Sequence, residues 1–298
     1  MANFNSRTRI ASYFCCMNLK SKRNVGLFLE KTLSKFSRPF LRQVVSKKRI
    51  SQLFFEKLVG EIRSKYQTQS ITYVKSDLLG AYLARKIKFP LVVVSGGTDH
   101  DITQAEYQLM LATSTTRFYV QNLPFPEAEN ISFLPIGVED LKWGRNGMPW
   151  NFWMKINLTA KNKSILVGPF GRTHASRAAC IDESRASNIT ELLIERMPSW
   201  QYASVASTFL FIACPRGNGL DTHRFWETLY RKSIPVVIRD HHSENLAKYS
   251  VPHVALSDWA HLRDFHIKDF EKISKEIPAN SLLSQKWWRE RFLKDLGL

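Results

Sequence analysis

The chain has 298 residues, 44% of them hydrophobic, which is enough to bury a core and to form one large or two small domains. It contains no run of 18 apolar residues, and no basic stretch, apolar stretch and small-residue cleavage site open it, so a soluble, cytoplasmic protein is expected. The formal charge of +17 is concentrated at one end: residues 1–50 hold twelve Lys/Arg against Glu30 alone, a local +11, leaving +6 on the other 248 residues.

Such a basic segment fits three settings: water, an anionic lipid surface at the inner face of a membrane, or nucleic acid. Nucleic acid ranks lowest, because no recognition motif and no basic helix interleaved with stacking aromatics is present. Cys15, Cys16, Cys180 and Cys214 are scattered, without C-x-x-C or Cys/His zinc spacing, and predict reduced structural thiols and no bound metal.

After residue 50, short β-rich runs alternate with segments of helical period, the pattern of an α/β fold with a parallel sheet. In chain order the expected strands are 71–74, 91–94, 118–120, 132–134, 164–167, 208–213, 234–238 and 253–256. The expected helices lie near 50–65, 77–87, 103–113, 174–187, 222–231, 242–248, 266–275 and 284–296. Between Glu139 and Lys163 the alternation stops. Gly144, Gly147, Pro149 and the aromatics Trp143, Trp150, Phe152 and Trp153 suggest an interdomain segment whose rings pack between two halves. The expected division is a basic segment over 1–50, a first half over 51–155, and a second half over 156–298 that includes the terminal helices.

Residues 208–238 carry the most chemistry. A continuous apolar run suits a strand buried on both faces. A turn, Pro215-Arg216-Gly217-Asn218-Gly219, follows, then a helix from about Asp221 or Thr222, then a second buried strand. Ligands in such sheets bind at the carboxyl ends of the strands beside helix N-termini. Gly217 and Gly219 are expected to clear the way for a phosphate, and Arg216 and Arg224 to add forked donors. His223 and Glu227 share a helix face, opposite Phe225, Trp226 and Leu229. Glu227 is placed to accept both hydroxyls of a ribose; a solvated or ion-paired helix residue is the competing reading. Asp221 is expected to be the N-cap, since its charge would oppose a phosphate there.

The string CPRGNGLDTHRFWETLY…IPVV resembles the C-terminal signature of exostosin-type glycosyltransferases, and PLVVVSGGTDHDI, FYVQN, SFLPIGVED and THASR fall in that family's order. The likeness spans about residues 70–240 and is specific only over Cys214–Val237. It implies a GT-B-like α/β fold, two Rossmann-like domains facing across a cleft, with no required metal or other cofactor. It also implies transfer of sugar from a nucleotide-sugar donor to a glycan or lipid-linked acceptor, as in surface polysaccharide synthesis. On this chain the donor would meet Arg216, Gly217, Asn218, Gly219, Thr222, His223, Arg224 and Glu227, together with Thr173, His174 and Arg177. The alternative for the last three is a plain helix start capped by Thr173. An inverting enzyme needs a general base; Asp99 and His100, after a Gly96-Gly97 turn, are candidates and also suit turn or cap roles, with Glu139 as a third. One departure stands out. Lys232 occupies a helix-to-strand turn where the family usually has Gly, the easy residue at positive φ, which leaves the loop geometry and the sugar specificity open.

Two other classes compete. One is a non-catalytic protein bound to membrane or nucleic acid through residues 1–50. The other is a dinucleotide-dependent oxidoreductase, disfavoured because no G-x-G-x-x-G opens a βαβ unit.

Overall fold

The computed structural model describes residues 49–85, 88–152, 161–265 and 281–298. Most of the basic segment, the expected helix at 266–275, Trp153 and the boundary near 155 lie outside the described residues. The described chain is α/β, with two parallel sheets of four and five strands and eight α-helices.

The first sheet holds β1 (Ile71–Lys75), β2 (Val92–Gly96), β3 (Arg117–Val120) and β4 (Ile131–Phe133) in the order β1-β2-β3-β4. Its helices are α1 (Gln52–Tyr66), α2 (Leu79–Ala84) and α3 (Gln104–Leu111). All five residues of β2 are buried, as its unbroken VVV run requires of a strand covered on both faces. A capping box starts α3: the Thr103 hydroxyl accepts from Glu106 N, and the Glu106 carboxylate accepts from Thr103 N.

The second sheet holds β5 (Asn162–Val167), β6 (Thr190–Leu192), β7 (Phe209–Ala213), β8 (Ile234–Ile238) and β9 (Val254–Leu256), in the order β6-β5-β7-β8-β9. The winding direction reverses between β5 and β7, which makes the carboxyl ends of those strands a topological switch point. Its helices are α4 (Ala175–Arg185), α5 (Ser199–Ser207), α6 (His223–Tyr230) and α7 (His241–Lys248).

Among the described strands and α-helices, one of each has no counterpart in the expected elements. Three-residue β6 is a partly exposed edge held by pairing with β5, so it leaves no periodic signal of its own. The SWQYASVAS segment of α5 offers Tyr202, Ala203 and Ala206 to the core without a charged opposite face, and its helical period is faint.

The last helix, α8 (Gln285–Asp295), was expected to close the second half and instead lies on the first. Trp288 and Phe292, one turn apart, set their rings 5.2 Å and 4.9 Å from Phe55 and Tyr119, and Arg291 donates to the Tyr119 hydroxyl. One buried core therefore runs from α1 and α8 through the first sheet to Ile212, Phe225 and Trp226 of the second half, and a separate apolar cluster includes Val167, Phe211 and Trp259.

The expected interdomain segment is ordered from Glu139 to Phe152. Asn151 donates to the carbonyls of Arg145 and Asn146 and to the Ser199 hydroxyl, and Gly147 lies so close to the Glu139 carbonyl that a Cβ would overlap it at 1.6 Å. Phe152 packs against Tyr230, whereas Trp143 is 57% exposed, so the aromatics do not all pack between the halves.

Candidate functional site

The loops after β2, β3 and β4 in the first half meet the loop after β7 in the second. Each junction is a hydrogen bond between groups distant in sequence. Asp101 Oδ2 accepts from Arg216 Nη2 at 2.5 Å and Asp101 Oδ1 from Leu220 N at 2.8 Å. Asn122 Oδ1 accepts from Asp221 N at 2.9 Å, and Asp221 Oδ2 accepts from Ile136 N at 2.8 Å. His223 Nδ1 donates to the Gly137 carbonyl at 2.8 Å. Asn218 Nδ2 donates to Asp99 Oδ2 at 3.3 Å. Loops at the carboxyl ends of both parallel sheets thus meet at one junction.

Asp221 is not the helix N-cap. Thr222 fills that position, its hydroxyl accepting from Phe225 N, while Asp221 is buried and also accepts from the Trp226 indole N–H at 2.9 Å. Burial is possible because these donors satisfy the carboxylate. Thr173 is likewise not the cap of its helix: His174 holds that position, with Nδ1 accepting from Ser176 N at 3.1 Å.

The two loop glycines stand against side chains from distant segments. A Cβ on Gly217 would lie 2.6 Å from Arg177 Nη2, and one on Gly219 would lie 2.9 Å from the Asn122 amide. The glycines make room for the Arg177 and Asn122 side chains. Arg177 in turn donates to the carbonyls of Arg216 and Gly171. The Arg224 fork is engaged by the Gly168 and Pro169 carbonyls at 2.9 and 2.8 Å, with its guanidinium over the Phe170 and Tyr202 rings. Arg224 braces the loop after β5 against α6.

Glu227 is 3% exposed, which rules out a solvated helix residue. Its Oε2 lies 3.7 Å from Arg231 Nη1, one helical turn on, and its Oε1 has no hydrogen-bond partner. The neighbouring carboxylate is Glu139, whose Oε2 accepts from Asn146 N at 2.7 Å. Burial and the charge of Glu227 push the Glu139 carboxyl up to about 7, against the opposing pull of His223, the Asn146 N–H and Arg145. Of the other two candidate bases, His100 Nε2 is paired with Glu106 at 3.1 Å and Asp99 faces Asn218.

Lys232 adopts φ of +53°, so the turn keeps the left-handed geometry that Gly usually supplies.

A cavity of about 260 Å³ opens at the carboxyl ends of β7 and β8, beside the first turns of α4, α6 and α7. His174, Arg216, Leu220, Thr222, His242 and Trp259 help line it. His242 is 7% exposed, has its Nε2 3.7 Å from Asp221 Oδ1, and leaves Nδ1 unpartnered. Burial works against its charge, but the adjacent Asp221 carboxylate outweighs it and holds the pKa above the usual histidine value.

The sequence reading did not single out Asp101, Asn122 or His242. All three follow strands at their carboxyl ends, which was the available signal, but nothing local distinguishes Asp101 and Asn122 from ordinary loop residues or His242 from an ordinary residue of a first helical turn. Cys180 and Cys214 are free and buried, and burial pushes the Cys214 thiol up to about 12. Among the described residues, no three His, Cys, Asp or Glu side chains converge as a metal site, and no helix is long and apolar enough to cross a membrane. No family model matches the chain, and no curated protein matches it in sequence.

Proposed function

We propose that the chain is a glycosyltransferase of GT-B-like layout that moves a sugar from a nucleotide-diphosphate sugar to a glycan or lipid-linked acceptor. The observation that carries this reading is the meeting of the carboxyl-end loops of two parallel sheets at the Arg216–Leu220 loop, beside a cavity that the second half lines, next to the switch point between β5 and β7. The exostosin-type string falls on that junction. The cavity lies just below the roughly 300–1,000 Å³ typical of small-molecule sites, so it suits one part of such a donor.

Arg216, Thr222 and His174 line the cavity and serve as donor contacts, with the glycine loop between them. A leaving diphosphate gains negative charge as the sugar departs, and Arg216 with the first turns of α4 and α6 supplies the positive potential that stabilises it. Among the candidate bases, Glu139 fits proton abstraction from an acceptor hydroxyl best, because its pKa is raised towards neutrality. The basic segment over residues 1–50 holds the enzyme near an anionic membrane where a lipid-linked acceptor resides.

A thermal-shift and hydrolysis panel of nucleotide-sugars on the full chain tests the reading. At least one donor is expected to raise Tm by mass action and to be turned over. If no donor binds and the chain binds anionic vesicles in a salt-sensitive way, the glycosyltransferase reading fails in favour of a non-catalytic membrane protein.

A further inference from the structure

The loop after β7 is already occupied by anions, and the anions belong to the chain itself. Asp101 bridges a guanidinium N–H of Arg216 and the backbone N–H of Leu220, at 2.5 and 2.8 Å. A charged fork beside a backbone donor is the pairing that proteins use to hold a phosphate. Two residues earlier, Asp99 accepts from the Asn218 amide of the same loop at 3.3 Å. Two carboxylates thus sit side by side on one glycine loop, and both come from the other half of the molecule.

We infer that the Arg216–Leu220 loop is a diphosphate site which the chain fills with its own Asp99 and Asp101 carboxylates until a ligand displaces them. Three observations support displacement. The side chains of Arg216 and Asp101 are 30% and 31% exposed, so a solute reaches the pair without unfolding the loop. Partly exposed ion pairs of this kind contribute little net stability, so a ligand phosphate with more oxygens competes well. Behind the loop, the cavity lined by Arg216, Leu220 and Thr222 also contains His242, more than nine-tenths buried, with an unpartnered Nδ1. The chain supplies no partner for that nitrogen, and the protonated ring would donate it to an incoming phosphate oxygen.

Displacement has a mechanical consequence. It breaks the Asp101 contacts with Arg216 and Leu220 but leaves Asp221 bonded to Ile136 and Asn122. Ligand binding then releases one set of ties between the halves and keeps the other. The inference rests on the anion-binding part of the reading above and not on sugar transfer.

Isothermal titration of the full-length chain with inorganic pyrophosphate, in chelator, tests it. If the carboxylate occupies the loop about nine-tenths of the time, Asp101→Asn binds pyrophosphate about tenfold more tightly than the wild type. Asp99→Asn shifts affinity the same way by less, and Arg216→Gln loses binding. Asp99→Asn loses a single long hydrogen bond, so it carries the comparison if Asp101→Asn does not fold.

Unchanged or weaker pyrophosphate binding by a folded Asp101→Asn overturns the inference. So does a lack of binding by every variant, or binding that requires Mg²⁺ or Mn²⁺ and vanishes in Asp101→Asn, which would make the carboxylate a metal ligand. The two proposals fail separately. Pyrophosphate binding with no response to any nucleotide-sugar removes the transferase reading alone, whereas equal donor affinity in wild type and Asp101→Asn removes this one alone.

Discussion

The carboxylate of Asp221, at the head of α6, accepts the backbone N–H of Ile136 from the first half of the molecule at 2.8 Å. The same carboxylate takes the Trp226 indole N–H and stands 3.7 Å from His242. One buried acid therefore joins the first sheet's carboxyl end, the core of the second half and the rim of the cavity.

Removing that acid leaves two buried donors without an acceptor, each costing about 1–3 kcal/mol. Asp221→Ala is expected to lower unfolding free energy by roughly 2–4 kcal/mol in urea titration. Asp221→Asn keeps one acceptor oxygen and loses less. Equal stability of Asp221→Ala and wild type would show that the Ile136 and Trp226 donors find other partners.

Lys232 is exposed and holds φ of +53°, a conformation that costs an L-residue about 1–2 kcal/mol relative to glycine. Part of the gain from glycine is lost to its greater freedom in the unfolded chain. Lys232→Gly is expected to stabilise the fold by about 0.5–1 kcal/mol, seen as a higher urea midpoint with unchanged slope. A lower midpoint would mean that the lysine side chain supports the turn.

Glu139 gives a pH signature with a definite sign. Its folded pKa, raised to about 7, lies above the ordinary carboxylate value near 4.3, so the folded state holds a proton that the unfolded state releases. That contribution to stability is complete below about pH 4 and is lost as pH rises through about 7. Glu139→Gln is expected to flatten this decline and to be more stable than wild type above pH 7 by roughly 1–3 kcal/mol. In the proposed reaction, kcat/KM rises with pH through the same range in the wild type, and Glu139→Gln loses that limb. Parallel pH–stability curves for the two proteins would refute the raised pKa.

Much of the fold was legible because its causes are local. The runs of β2, β7 and β8 are continuous and apolar, the alternating helices have one apolar face each, and together they specify parallel α/β structure. The glycine loop and the helix after it were equally visible, and so was the apolar face of α6 formed by Phe225, Trp226 and Leu229. Short β6 and low-contrast α5 were not, since neighbours and not their own pattern hold them in place.

The sequence by itself determined where strands and helices form and that a glycine loop ends β7, because periodicity and turn chemistry act within a few residues. Only the tertiary structure decided what each polar group at that loop meets. Asp221 bonds to a residue 85 positions away, Arg216 to one 115 away and Leu220 to one 119 away. Reading the loop in isolation made Asp221 a cap and left the neighbours of Gly217 and Gly219 unseen. Buried acids need donors and glycines admit whatever lies nearest, and both were supplied largely by segments distant in sequence: Ile136 and Asn122 from the first half, and Arg177 from α4.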